Sequence, residues 1–300
     1  MSSRMRITVE YPIDGADPAL VLGDGMARVA RSADELGFDA LAFTEHPAPT
    51  REWLASRAGH ETLDVTSSLA FCAAVTTRIR LMTYLLVMPY HNPFMAAKAL
   101  TTVDRLSGGR LTVVAGAGYV RDEFEALGVD FESRNERFDE ALKVMRALWT
   151  GLPLDHEGAH FQGREITQRP GPVQRGGIPV LIGGNSTVAR QRAARNQGWS
   201  PLLVEQEVAS SIRMPPLTIE RLATAVADVR ASADPDKVLT VQVQTPHAYV
   251  LRRKLSVAEH VDHLGRLQQA GVDSFVLKLP SSSVEAAVDG LESYAATYRD

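Results

Sequence analysis

Apolar residues recur along this chain with two alternating periods. Spacings of i, i+3, i+4 and i+7 predict helices through Met26, Val29, Ala30, Ala33 and Leu36, and through Phe138, Ala141, Leu142, Met145, Leu148 and Trp149. A third such helix runs through Val257, Val261, Leu264 and Leu267. Between the periodic stretches lie short apolar runs at residues 5–10, 40–44, 79–85, 111–115, 179–182, 199–203, 238–243 and 274–279. Continuous runs of this kind suit parallel strands buried on both faces. A glycine junction links helix to strand, as in Leu36-Gly37-Phe38-Asp39 and Ala270-Gly271-Val272-Asp273. Glycine just past a helix takes the left-handed conformation at little steric cost, so the chain turns back along the sheet. Ser133-x-x-Glu136 and Ser256-x-x-Glu259 predict capping boxes at two helix starts.

Eight strands separated by helices fit a doubly wound sheet or a barrel, and the count favours an α/β fold of the (β/α)8 TIM type. No linker or low-complexity tract divides residues 1–300, so a single domain is expected. Residues 151–177 are polar and rich in Gly and Pro, and predict an insertion on the barrel rim with a small hairpin around residues 156–161.

Composition narrows the function classes. A formal charge of −4 supplies no basic field for nucleic acid or an anionic membrane. One cysteine, Cys72, excludes an internal disulfide or a Cys-based metal cluster, and its helical apolar setting reads as a buried structural thiol. Residues 1–6 lack the apolar centre of a secretory leader, and no run reaches the ~18 apolar residues of a membrane span, so a cytoplasmic protein is expected.

Barrels of this type carry their sites at the carboxyl ends of the strands. That rule selects Glu10-Tyr11, Thr44-Glu45-His46, the stretch from Tyr84 to Asn92, Gly116-Ala117-Gly118-Tyr119, and Gly183-Gly184-Asn185-Ser186-Thr187. The last opens a predicted helix over residues 188–196, where bare N–H groups and the helix dipole would converge on a phosphate. The same residues also read as an ordinary Asn or Ser cap after a Gly turn. Gly116-x-Gly118 lacks the remaining parts of a dinucleotide fingerprint and reads equally as a close strand-to-helix turn. His46, beside Glu45, is placed to polarise a carbonyl or relay a proton, or simply to hydrogen-bond at the surface. Arg121, Asp122 and Glu123 read as an exposed, charged helix start, and Arg252–Lys254 as a solvated basic loop. No histidine spacing suggests a metal site, and neither a nucleophile elbow nor a P-loop is present.

Taken in order, several stretches resemble the luciferase-like monooxygenase superfamily over nearly the whole chain. They include Glu35-Leu36-Gly37-Phe38-Asp39-Ala40, Thr44-Glu45-His46 and Leu86-Val87-Met88-Pro89-Tyr90-His91-Asn92-Pro93. Asp104-Arg105-Leu106-Ser107-Gly108-Gly109-Arg110, Glu123-Phe124-Glu125-Ala126-Leu127-Gly128 and Ile182-Gly183-Gly184-Asn185-Ser186 continue the series. The set most resembles the branch that uses the deazaflavin coenzyme F420.

The resemblance implies a barrel that binds a reduced flavin or deazaflavin deep at the strand ends. Gly183, Gly184, Asn185, Ser186 and Thr187 would hold its phosphate, and Gly116 and Gly118 would lie beside it. A bulge with a non-proline cis peptide, near Tyr84-Leu85 here, would back the ring. His46 matches the histidine that contacts ring or substrate. The chain departs from its relatives at Met82 and Tyr84, where Gly and Ser are frequent, and at His91, where Arg is. Tyr119 stands where the sugar-phosphate dehydrogenases carry an acidic proton donor, which argues against that substrate. The expected activity is hydride transfer between coenzyme F420 and a small organic substrate, with His46 and Tyr119 as candidate proton donors. FMN-dependent monooxygenation is the alternative, and a cofactor-poor binding protein on the same barrel is a third reading. By analogy the chain would form a homodimer through helices over residues 66–77 and 93–106.

Overall fold

The structure is a computed structural model that describes residues 4–57, 59–204, 206–211, 214–252 and 255–298. Eight parallel strands close a barrel: β1 (Arg6–Glu10), β2 (Ala40–Phe43), β3 (Arg80–Val87), β4 (Leu111–Gly116), β7 (Val180–Gly183), β8 (Gly198–Ser200), β9 (Thr240–Val243) and β10 (Ser274–Lys278). Between β4 and β7, the two strands β5 (Leu154–Glu157) and β6 (Gln162–Ile166) form a separate antiparallel hairpin. This is the expected (β/α)8 TIM-type barrel with its rim insertion.

Side-chain size explains how the strands curl. Ala40 and Ala42 of β2 pack with Met82, Val114 and Leu181 in one small cluster, while Leu41 and Phe43 belong to the large core that includes the helices. Successive strand residues face opposite sides, so Ala40 and Ala42 leave room in the barrel interior for Met82 and Leu181, while Leu41 and Phe43 meet the helical layer. Polar groups inside the barrel pair with each other: Thr8 Oγ1 donates to Gln242 Oε1 at 2.7 Å, and Gln242 Nε2 donates to Met82 Sδ at 3.4 Å.

The glycine junctions carry more than a turn. Gly37 and Gly271 adopt φ of 74° and 86°. Asp39 then accepts the N–H of Ile7 at 2.8 Å, and Asp273 that of Val241 at 2.7 Å, so each junction also fixes the register of a neighbouring strand. Asp34 does the same for the approach to β3, accepting from the N–H groups of Thr77, Arg78 and Ile79. Burial opposes the Asp34 charge, but these bonds outweigh it and hold its carboxyl below the usual range.

The capping box at Ser256 is present, with reciprocal bonds to Glu259. The one expected at Ser133 is not. Ser133 sits in helical conformation and makes no side-chain cap; its Oγ instead donates to Asp130 O at 3.0 Å. Asp130 performs the local work by accepting the N–H groups of Glu132 and Ser133 at 3.2 and 2.9 Å. The rim hairpin is pinned by Glu140, which bonds His156 Nε2 at 2.9 Å and the N–H groups of His160 and Phe161. Cys72 is fully buried. Among the described residues, no helix is long and apolar enough to cross a membrane.

Candidate active site

The carboxyl ends of the barrel strands surround a cavity of about 790 Å³. His46, Tyr84, Leu85, Gly116, Gly118, Tyr119, Gly183, Gly184, Asn185 and Ser186 all line it. Thr187 does not; it is the first residue of the helix Thr187–Ala194. The volume lies within the range of cofactor and small-ligand sites.

Leu85 forms the floor. The register of β3 against β4 shifts between Tyr84 and Leu86, and the Tyr84–Leu85 peptide is cis, at the position expected. A Cβ on Gly116 would come within 2.6 Å of Leu85 Cδ1, and one on Gly183 within 2.6 Å of Leu85 Cδ2. Both glycines therefore make room for the leucine side chain, which presents an apolar shelf to the cavity. Gly184 has a different reason: its φ of +102° is a conformation side chains rarely adopt.

Beyond Gly184 the loop runs straight into a helix. Ser186 is its cap, accepting from Ala189 N at 3.1 Å. The first-turn N–H groups beyond that bond have no intrahelical acceptor, which suits an anion. Asn185 is already engaged: its side chain donates to Leu202 O at 2.8 Å and Pro215 O at 3.0 Å, and accepts from Leu202 N at 3.0 Å. It straps the loop to neighbouring chain and leaves only backbone for a ligand.

Three carboxylates at the mouth are buried, and each is tied to a histidine or a lysine. Glu45 accepts from Val87 N at 2.6 Å and pairs with His91 Nε2 at 2.8 Å. Burial works against a charged His91, but Glu45 prevails and raises its pKa. The His91 departure thus keeps a basic group against this carboxylate. Glu10 pairs with Lys278 at 3.4 Å and accepts from Thr44 and Gln244. Burial also disfavours the Lys278 charge, yet Glu10 and Asp14 hold its pKa above the ordinary lysine range.

The third carboxylate, Glu123, corrects a sequence reading. It is 0% exposed rather than part of a solvated charged turn. His46 Nδ1 lies 3.1 Å from its Oε2, Tyr90 Oη donates to the same oxygen at 3.0 Å, and Ala48 N donates to Oε1 at 3.2 Å. Burial and the adjacent Glu123 raise the Tyr90 pKa, so the phenol stays protonated. Since a carboxylate accepts, Nδ1 of His46 carries the proton and Nε2 is the ring nitrogen available for other chemistry. Glu123 and Phe124 turn inward together on the short helix Arg121–Ala126. The apolar neighbours Val120, Phe124 and Leu127 were the available hint that Glu123 faces the core. The His46 ring also packs against Trp53 and Tyr119, with centroids 4.4 and 6.2 Å away. Tyr119 has its pKa raised by burial, with Arg57 acting in the opposite sense. In the basic loop, Arg252 donates to Leu279 O and Ser281 Oγ, and residues 253–254 lie outside the described residues.

Fold and site together define a parallel barrel with a cofactor-sized cavity at its strand ends, and residues 22–248 match the luciferase-like monooxygenase family. The chain belongs to that family. An uncharacterised protein of Mycobacterium tuberculosis is 33% identical over 153 residues, which cover 51% of this chain and 51% of that protein. The match thus spans about half the length of that relative. The FMNH2-dependent dimethylsulfone monooxygenase of Pseudomonas putida is 29% identical over 143 residues, 47% of this chain and 38% of that enzyme. Among solved structures, an F420-dependent secondary alcohol dehydrogenase in complex with an F420–acetone adduct superposes with a TM-score of 0.74 at 16% identity, covering 99% of this chain and 100% of that one. At that identity the likeness establishes the fold.

Proposed function

We propose that this protein is an oxidoreductase that transfers a hydride between coenzyme F420 and a small organic substrate. The observation that carries the reading is His46, lining a cavity that Leu85 also lines and backed by the buried Glu123. Hydride transfer to a carbonyl leaves an oxygen that needs a proton, and the reverse reaction needs a base at the same place. When bound, the deazaflavin supplies the carbon that gives or takes the hydride.

The chain's own residues would do the rest. The N–H groups of Asn185 and Ser186 and the following helix start would hold the phosphate, with Gly184 tied to Ser200 and Trp199 and the Asn185 side chain fixing the loop from behind. Leu85, Gly116 and Gly183 would set the depth of the ring, and Gly118 with its left-handed φ of +77° would shape the adjoining turn. His46 would hold or release a proton at Nε2 while Glu123 fixes its tautomer and offsets the imidazolium charge. Tyr119 would donate a hydrogen bond to the substrate oxygen. Thr187, off the cavity, would serve only through the helix start it opens.

The similarity to an FMNH2-dependent monooxygenase supports a second reading, in which supplied reduced FMN reacts with oxygen. Anaerobic assays of F420 absorbance against secondary alcohols and ketones, run beside oxygen-uptake assays with reduced FMN, separate the two. Substrate-dependent F420 turnover is expected; oxygen uptake without it would replace the hydride-transfer reading. The protein would also be a homodimer through the helices Val65–Val75 and Pro93–Leu106, which expose Phe71, Met95 and Leu106. Light scattering showing a monomer would overturn that assignment.

A further inference from the structure

Cations that line the cavity fall into two sorts. Lys278 lies 3.4 Å from Glu10 and 3.2 Å from Asp14, and Arg192 lies 2.8 Å from Asp139. Their charges are neutralised inside the protein. Arg57 lines the same cavity, yet among the described residues no carboxylate lies within 4.0 Å of its guanidinium.

The Arg57 contacts are neutral. Its Cζ stands 4.2 Å from the centre of the Trp53 ring, and Nη1 donates to Ser56 Oγ at 3.0 Å. The group also reaches the Tyr119 hydroxyl. A guanidinium covered on its face by an aromatic ring keeps in-plane N–H donors at its edge, the geometry that receives a carboxylate through two parallel bonds. A partly desolvated charge with no counter-ion is unfavourable, and an incoming anion offsets that cost. Arg134, also on the cavity and likewise without a carboxylate within 4.0 Å among the described residues, stacks over Phe131 at 3.9 Å and donates to Phe131 O, so its ring partner is not the Trp53 that touches His46.

Position then ties Arg57 to the chemistry. Trp53 carries Arg57 on one contact and the His46 ring on another, 4.4 Å away. One indole thus sets the separation between the unpaired cation and the candidate proton donor. We infer that Arg57 determines substrate specificity and that the substrate is a small organic acid, its carboxylate on the Arg57 edge and its reacting carbon–oxygen group at His46. This rests on the mouth cavity being the active site.

The test is isothermal titration of the full chain, with and without F420, using benzoate, benzamide, butyrate and butyramide as unreactive probes. At least one acid should bind at least about tenfold more tightly than its own amide. Arg57→Met should abolish that preference, Arg57→Lys should retain part of it, and F420 affinity in the same samples should change less than about twofold. Arg57→Gln, which keeps a donor toward Tyr119, gives the same comparison if Arg57→Met does not fold. Neither acid favoured over its amide in the wild type, or a preference that survives in the variant, would overturn the inference. Loss of F420 together with the acid would also overturn it, because Arg57 would then belong to the cofactor site. Acid preference in a wild type that binds no F420 would support the assignment of Arg57 while removing the deazaflavin reading.

Discussion

Two groups of histidines have opposite surroundings. His46 and His91, after β2 and β3, each face a buried carboxylate, Glu123 at 3.1 Å and Glu45 at 2.8 Å. His260 and His263, on the helix Val257–Gln269 after β9, face hydroxyls instead: Tyr294 Oη at 3.1 Å and Thr245 Oγ1 at 2.8 Å. His247 stacks on His263 with ring centres 3.8 Å apart. The difference shifts the proton affinity of His91 one way and that of His260 and His263 the other. A buried carboxylate favours the imidazolium and raises the His91 pKa against its burial. Burial, then the neighbouring imidazoles, push His260 and His263 down to about 4. Glu45 thus favours a proton on His91, while His260 and His263 pack as neutral rings.

The largest effect expected from breaking this contrast is on turnover. Glu123→Gln removes the charge that fixes His46, and His46→Ala removes the ring, so each should lower kcat by about 10²-fold or more. Comparable turnover in either variant, measured at saturating substrate across the pH range, would show that the pair is only structural. Next in size is the floor. Gly116→Ala would drive its new methyl against Leu85 at 2.6 Å and push the leucine into the cavity. Cofactor affinity should fall about tenfold, with a small change in Tm because the atom displaced is the end of a flexible side chain. An unchanged dissociation constant would mean that Leu85 does not set the ring depth.

Stability against pH sharpens the comparison further. His260 and His263 have folded pKa values of about 4 against 6.5 for a free imidazole, so their contribution is present above 6.5 and is lost as pH falls toward about 4. His91 has the opposite sign: its contribution is complete below 6.5 and is lost as pH rises through its folded pKa. Urea midpoints should therefore fall on the acid side of neutrality less steeply in His263→Asn, and on the alkaline side less steeply in His91→Asn. Parallel curves for wild type and variants would contradict the assigned environments. The smallest effect belongs to Tyr119→Phe, where loss of one hydroxyl should reduce kcat/KM about 3- to 10-fold.

Much of this was written in patterns of short range. The eight apolar runs, the glycine junctions and the helix Arg134–Trp149 follow from period and turn chemistry, which act over a few residues. The strand β8 proved shorter than its apolar run because only residues 198–200 pair in the barrel, while Leu202 makes an isolated bridge to Gln244. What sequence spacing did not reveal depends on distant partners. Glu123 looks like a solvated charge beside Arg121 and Asp122, and only its meeting with His46, 77 residues away, makes it part of the site. Asn185 looks like a ligand-binding amide, but its side chain is occupied by Leu202 and Pro215. Gly183 looks like a phosphate-loop glycine and Gly116 like part of a close strand-to-helix turn, and each is also a space for the same leucine.

The central claim is that this cavity holds a deazaflavin by the loop at Gly184. The most direct measurement is a pair of equilibrium titrations, with coenzyme F420 and with FMN, on the wild type and on Gly184→Val. The account predicts tighter binding of F420, weakened at least about tenfold in the variant, because a branched residue at φ +102° must displace the loop proposed to hold the phosphate. Preferential binding of FMN, binding of neither cofactor, or F420 affinity indifferent to the substitution in a folded variant would contradict it.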